Sequence, residues 1–275
     1  MPASADLNRP PAAAKPPPAL RVSGVGKVFV TPAGLFKPAY RTTALHDISI
    51  DVQPSEILAI VGESGSGKTT IGRIVVGLLQ PDNGAIELGG RILVDVARGI
   101  HVPAAKRGVG MIFQDPISSL NPRMRVRDIV GEGLRLAGVG RGEIAERTTA
   151  ALNLVGLRKE DLECHPHQFS GGQRQRIGIA RAIVMEPAVL VADEPVSSLD
   201  VSVQMQVLNL ILDIRDRLKL TVLFITHNIG VVEYLCDRVV VLSRGEIVER
   251  GTTRTVIEAP QHAYTQRLLQ AVPRL

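Results

Sequence analysis

Apolar and polar positions along this chain switch between two periods. Alternation of period two, which marks a half-buried strand, runs over Leu20–Val30 and Ala44–Val52. Unbroken apolar runs of strand length, which mark strands covered on both faces, stand at 57–61 (ILAIV) and 188–192 (AVLVA). Helical spacing follows the first run over Ile71–Leu79 and is broken by Pro81-Asp82-Asn83-Gly84. It returns over 126–163, where Val130, Leu134, Leu136, Ile144, Ala151, Leu152 and Val155 recur among charges, and further helices are predicted over Gln173–Met185 and Val201–Leu218. Shorter strands are predicted at Ala85–Leu88, Arg91–Val96, Val109–Phe113, Leu220–Ile225, Arg238–Leu242 and Glu246–Glu249, and one short proline-bounded helix within the closing APQHAYTQRLLQAVPRL. Strands alternating with helices predict an α/β core, and the helical block between two of its strands predicts a subdomain.

Composition narrows this picture. A chain of 275 residues holds one large domain or two small ones and buries a substantial core. Glu186 and Pro187 interrupt the longest apolar candidate, so no run approaches the ~20 residues that span a bilayer. The net charge of +5 lies entirely within residues 1–43, which leaves the remainder neutral. A basic nucleic-acid-binding face is therefore not indicated, and with aromatics at 3% base-stacking platforms are not either; no nucleic-acid partner is expected. The proline- and alanine-rich opening lacks the apolar core of a signal peptide, and residues 1–19 are expected to be a disordered tail. Cys164 and Cys236 have no metal-binding spacing and suit buried or idle thiols in a reducing cytoplasm.

The chemistry begins where the first apolar run ends. Gly62-Glu63-Ser64-Gly65-Ser66-Gly67-Lys68-Thr69-Thr70 has the P-loop spacing, set between a strand and a helix. Glycines allow backbone N–H groups to close on a polyphosphate, and the helix N-terminus adds its positive end to the same anion. Lys68 is placed to reach the β and γ phosphates and the Thr69 hydroxyl to hold Mg2+. Phe29, at the end of the first strand, offers a flat face for an adenine ring, with Phe36 and Tyr40 as competitors and an ordinary core phenylalanine as the alternative. Gln114 stands at a strand end, where an amide binds Mg2+ or a water; taken alone it reads equally as a surface residue.

Ser170-Gly171-Gly172-Gln173 open a second glycine-rich helix N-terminus. One P-loop has no geometric use for two such anion sites, whereas a second molecule's nucleotide does. The 188–192 run ends in Asp193-Glu194, and strand alternation would aim one carboxylate at the metal and the other elsewhere, to orient and polarise an attacking water. The bland alternative is a pair of solvated charges. His227 follows the 220–225 strand at the edge where open α/β sheets bind ligands.

Taken together these stretches resemble the nucleotide-binding subunit of an ABC transporter, from about residue 20 onward. Gly62–Thr69 match the Walker A motif, Gln114 the Q-loop, Phe169–Gln173 the signature with Phe169 in place of the commoner leucine, Ala188–Asp193 Walker B, Glu194 the catalytic glutamate, Ser197–Asp200 the D-loop and His227 the switch histidine. GLF in the early loop, FQDPISSLNPR and PQHAYTQRLLQAVP are similar to the peptide-importer group that also covers nickel and glutathione uptake, with Ala263 where the group usually has proline. The resemblance implies a P-loop NTPase core with an antiparallel β subdomain and a helical subdomain at about 116–180, an ATPase domain over 20–258 and a short importer-type motif over 259–275. It implies two ATP sites in a head-to-tail dimer, each using Lys68, Thr69, Gln114, Asp193, Glu194 and His227 of one chain with Ser170, Gly172 and the neighbouring Gly171, Gln173 and Asp200 of the other, and Mg2+ on Thr69, Gln114 and Asp193. Expected partners are transmembrane permease subunits, a second ATPase subunit and, indirectly, an extracytoplasmic solute-binding protein, at the cytoplasmic face of the membrane. A soluble ABC ATPase without a permease is the rival; a P-loop kinase would leave the signature and Gln114 unexplained.

Overall fold

A computed structural model of the chain describes residues 17–31, 40–115 and 118–270. Most of the predicted N-terminal tail, Phe36 and the GLF stretch, Pro116-Ile117 and the last five residues lie outside the described residues.

Two sheets meet on one helix. The first is antiparallel, in the order β2-β1-β4-β5-β6, from β1 (Leu20–Thr31), β2 (Tyr40–Val52), β4 (Asn83–Leu88), β5 (Arg91–Asp95) and β6 (Ile100–His101). The second has the order β11-β10-β3-β9-β8-β7, from β3 (Ile57–Val61), β7 (Val109–Ile112), β8 (Val189–Asp193), β9 (Thr221–Thr226), β10 (Arg238–Ser243) and β11 (Glu246–Thr252). All its neighbours are parallel except β10 and β11.

β3 shows why this sheet is interior. Its five residues are all buried, and the pleat sends Ile57, Ala59 and Val61 to one core and Leu58 and Ile60 to another. The second core joins β3 to α1 (Lys68–Val76), through Ile71, Ile74 and Val75, and to the antiparallel sheet, through Leu20, Val22, Ile48 and Ile86. The first takes in the helices of the opposite face: α2 (Val126–Val130), α3 (Glu132–Leu136), α4 (Arg141–Leu154), α5 (Gly171–Ile183) and α6 (Val201–Leu218). The long 126–163 pattern is thus broken into three helices and a 3-10 turn at Lys159–Glu163; Gly131, Gly138 and Gly140 stand at the breaks.

Three short helices complete the chain: α7 (Ile229–Leu235), α8 (Thr253–Glu258) and α9 (Ala263–Gln270). At seven and six residues, α7 and α8 are too short to show a helical period in sequence, but each has a capping residue, Asn228 and Thr252. The far end of α1 is closed by Arg107, whose buried guanidinium donates to the carbonyls of Ile74, Val75 and Val102. The Val75 carbonyl, in the last turn, would otherwise lack an intrahelical partner, and with Val102 on the same guanidinium Arg107 ties α1 to the β6–β7 connection.

Candidate functional site

The parallel strands deliver their chemistry at one edge. β3 runs into the glycine-rich loop, Gln114 lies just past β7, Asp193 ends β8 and His227 follows β9. A cleft of about 600 Å³ opens there, bordered by Gly65, Gly67, Lys68, Thr69, Thr70, Gln114, Glu194 and His227, with Ala44 of β2 and Ser197-Ser198 on its rim.

Lys68 is 5% exposed, and its Nζ donates to the carbonyls of Gly62 at 2.7 Å and Glu63 at 2.8 Å. Burial pushes the lysine pKa down, opposed by the charges of Glu194, Asp193 and Glu63. Across the cleft, Asp193 is 3% exposed and its Oδ1 accepts from the Thr69 hydroxyl at 3.1 Å. Burial pushes the Asp193 carboxyl up; the Thr69 bond works against that, Glu194 adds to it, and Arg73 and Lys68 oppose it. An ammonium and a carboxylate thus sit desolvated around a space that a polyphosphate and its cation would fill. The donors fit such a cation: a hydroxyl, a carboxylate and the Gln114 amide are hard oxygen ligands of the kind Mg2+ takes. The loop also fits a phosphate chain, because a Cβ on Gly65 would meet nothing within 4 Å whereas one on Gly62 would lie 2.1 Å from the Leu242 carbonyl.

Glu194 departs from the alternation expected of a strand end. β8 stops at Asp193, and Glu194 takes φ +46°, a left-handed conformation rare for a side chain of this size. Its amide bonds back to the Ile225 carbonyl at 2.9 Å, and its own carbonyl accepts from the Ser197 hydroxyl and amide. The turn, not the pleat, aims the carboxylate into the same cleft as Lys68 and Thr69. There Oε1 faces His227 Nδ1 at 3.1 Å and Oε2 accepts from Gln114 Nε2 at 3.3 Å.

The second glycine-rich segment stands apart. Ser170 caps α5 with a reciprocal pair, Gln173 N to Ser170 Oγ at 3.3 Å and Ser170 N to Gln173 Oε1 at 3.0 Å. Ser170, Gly171 and Gln173 are exposed, and none of 170–173 borders the P-loop cleft. Asp200 caps α6, accepting from the Ser202 hydroxyl at 2.7 Å and the Val203 amide at 3.0 Å.

Residues 45–197, which hold the glycine-rich loop, Gln114, the Ser170 segment and Asp193-Glu194, match the ABC transporter family. The chain belongs to the ABC transporter family. A putative peptide import ATP-binding protein of Brucella ovis is 46% identical over 257 residues, covering 93% of this chain and 79% of that protein. The glutathione import ATP-binding protein GsiA of Salmonella typhi is 45% identical over 258 residues, 93% of this chain but 41% of that one. Among solved structures, cbiO1 from Clostridium perfringens, part of the ABC transporter complex cbiONQ, has TM-score 0.73 and 28% identity over 88% of this chain and 92% of that one. The dimeric post-hydrolysis cassette MJ0796, bound to ADP and Pi, has TM-score 0.70 and 26% identity over 86% of this chain and 99% of that one. The fold is that of the P-loop ABC ATPases, and the chain is an ATPase that binds ATP.

In this ABC ATPase, Phe29 pairs with Thr42 in the β1–β2 hairpin; its ring is 43% exposed and carries the Lys27 ammonium 5.9 Å above its centre. It does not border the cleft, and Tyr40, 67% exposed, does not either. Both cysteines are free; Cys236 is buried, and burial pushes its thiol far up. Three residues with no catalytic chemistry of their own support the site through contacts that the sequence pattern does not encode. Ala44 meets the loop by its backbone, since a Cβ on Gly67 would lie 2.6 Å from its carbonyl. Arg181 of α5 lies over the Phe113 ring at 5.5 Å and donates to Ser119, clasping both sides of the segment after Gln114. Tyr264 accepts from the Glu63 amide. Among the described residues no helix is long and apolar enough to cross a membrane.

Proposed function

We propose that this chain powers an importer of di- or oligopeptides, hydrolysing ATP at two sites shared with a second ATPase subunit, a paralogue or an identical copy. The convergence of Lys68, the Thr69–Asp193 pair and the Gln114–Glu194–His227 cluster on one cleft, with the signature outside it, carries this reading. The loop amides from Gly62 to Thr70 and Lys68 would hold the phosphates, and Thr69, Asp193 and Gln114 the Mg2+. When bound, that cation would neutralise charge gathering on the β and γ oxygens. Glu194 would orient and polarise the attacking water, and His227 would report the γ-phosphate.

Each carboxylate oxygen of Glu194 has one polar contact, Oε1 with His227 Nδ1 and Oε2 with Gln114 Nε2, and keeps a further lone pair for a water. These two contacts would fix the orientation of the base beside the γ-phosphate. The helix cap at Ser170 would turn its amides and hydroxyl to the partner's nucleotide, with Gly171, Gly172, Gln173 and Asp200 around it. ATP binding would then close the dimer and hydrolysis reopen it, and the helical segment of about 116–180 would pass this motion to permease subunits at the cytoplasmic face of the membrane. The names of the relatives support import, and peptides over other solutes; a solute-binding protein would choose the cargo.

The test is the Glu194→Gln variant, trapped with ATP in its host and purified from detergent-solubilised membranes. It should bind ATP but turn over at least a hundredfold more slowly, and bring down two permease subunits. Near-normal turnover would sink the role of Glu194, and recovery from the soluble fraction without a permease would favour the soluble alternative.

A further inference from the structure

Residues 261–268 pack against the glycine-rich loop. After β11 and α8, the Glu249 carboxylate accepts from the amides of Gln261 at 2.8 Å and His262 at 3.1 Å. Burial works to raise the Glu249 carboxyl, but these amides outweigh it and hold it below the ordinary value. His262 Nδ1 in turn accepts from the Tyr264 amide at 3.1 Å, which fixes the first turn of α9. Tyr264 is 8% exposed, packed in the same core as β3, and its hydroxyl accepts from the Glu63 amide at 3.0 Å.

The Glu63 N–H and the Gly62 carbonyl belong to one planar peptide group. Its oxygen takes the Lys68 ammonium at 2.7 Å and its N–H takes Tyr264, so the plane is pinned from both sides. Rotation of that plane would move one of the two carbonyls that hold Lys68. A side chain more than 200 positions along the chain is thus one peptide away from the lysine that meets the phosphates.

We propose that Tyr264 is a positioning residue for nucleotide binding: by fixing the Gly62–Glu63 peptide it preorganises the loop and Lys68, and through it the C-terminal helix sets the affinity for ATP. The inference rests on ATP occupying the Gly62–Thr69 loop. The contact holds the loop before the substrate arrives and touches no reacting atom, so its loss falls on binding and not on the chemical step.

Tyr264→Phe in the full chain keeps the ring and its packing and removes the hydroxyl. The dissociation constant for ATP and KM should rise about three- to tenfold, the range for one neutral hydrogen bond, with kcat unchanged. Hydrogen exchange at the Glu63 amide should accelerate while β3 stays protected. Glu249→Ala, remote from the phosphates, should raise the same constant, and the double variant should add little to Tyr264→Phe, since both act through one helix. An unchanged dissociation constant in Tyr264→Phe, a fall in kcat at constant KM, or simple additivity of the two variants overturns the proposal. Absence of saturable ATP binding in the unaltered chain would instead overturn the ATP-site assignment itself.

Discussion

Two alanine substitutions three positions apart separate what the glycine-rich loop does for the fold from what it does for the nucleotide. In Gly62→Ala the new Cβ would lie 2.1 Å from the Leu242 carbonyl and 2.8 Å from Ser66 Oγ. Leu242 is backbone of a central strand, so either β10 or the loop must yield by about 1 Å, and such overpacking costs about 3 kcal/mol. For a domain of this size that lowers Tm by roughly 6–10 °C before any ligand is added. In Gly65→Ala the Cβ meets nothing within 4 Å, and the penalty is the left-handed backbone at φ +81°. That strain is about 1–2 kcal/mol, or roughly 2–7 °C. The open space beside Gly65 is where the phosphates would lie, so here the larger loss is in binding. ATP at about a hundred times its dissociation constant stabilises the unaltered chain by about 2.7 kcal/mol, and most of that shift should vanish in Gly65→Ala. The chain has no tryptophan, so circular dichroism with and without ATP and Mg2+ is the suitable melting assay. A Gly65→Ala variant that keeps the full ATP-induced shift, or a Gly62→Ala variant that melts within about 2 °C of the unaltered chain, would refute this division of roles.

Asp193 gives a pH-dependent test. Its carboxyl is raised in the folded chain, so between the unfolded value near pH 4 and the higher folded value the native state binds more protons, and its stability falls as pH rises through that window. Asp193→Asn removes this loss: without nucleotide its Tm should gain on that of the unaltered chain as pH rises above about 4, while stabilisation by ATP with Mg2+ disappears; parallel Tm-against-pH curves would contradict the assignment. For the adenine platform, Phe29→Ala should weaken ATP about tenfold, since base–aromatic stacking is worth about 1–3 kcal/mol. Equal affinity in Phe29→Ala together with a loss in Tyr40→Ala would move the platform to Tyr40.

How much of this was legible in the sequence depends on which interaction places each residue. The core strands were, because burial on both faces forces unbroken apolar runs such as ILAIV, and the residues just past them inherit a common edge from parallel pairing. Lys68, Asp193 and His227 could therefore be placed near one another from order alone. Glu194 could not: its orientation comes from a left-handed turn held by the Ile225 carbonyl and Ser197, contacts between segments that no local period encodes. The contacts of Arg107, Arg181 and Tyr264 were illegible for a related reason, although Tyr264 itself lies in the importer-type closing motif. Each residue spends its polar atoms on the backbone of a distant segment, at Ile74 and Val75, at Ser119 and at Glu63, and backbone partners leave no residue type to match in the sequence. The motifs name the groups proposed to meet the phosphates. The residues that hold those groups still, and through which the C-terminal helix and the helical segment reach the cleft, become visible when the hydrogen bonds are traced.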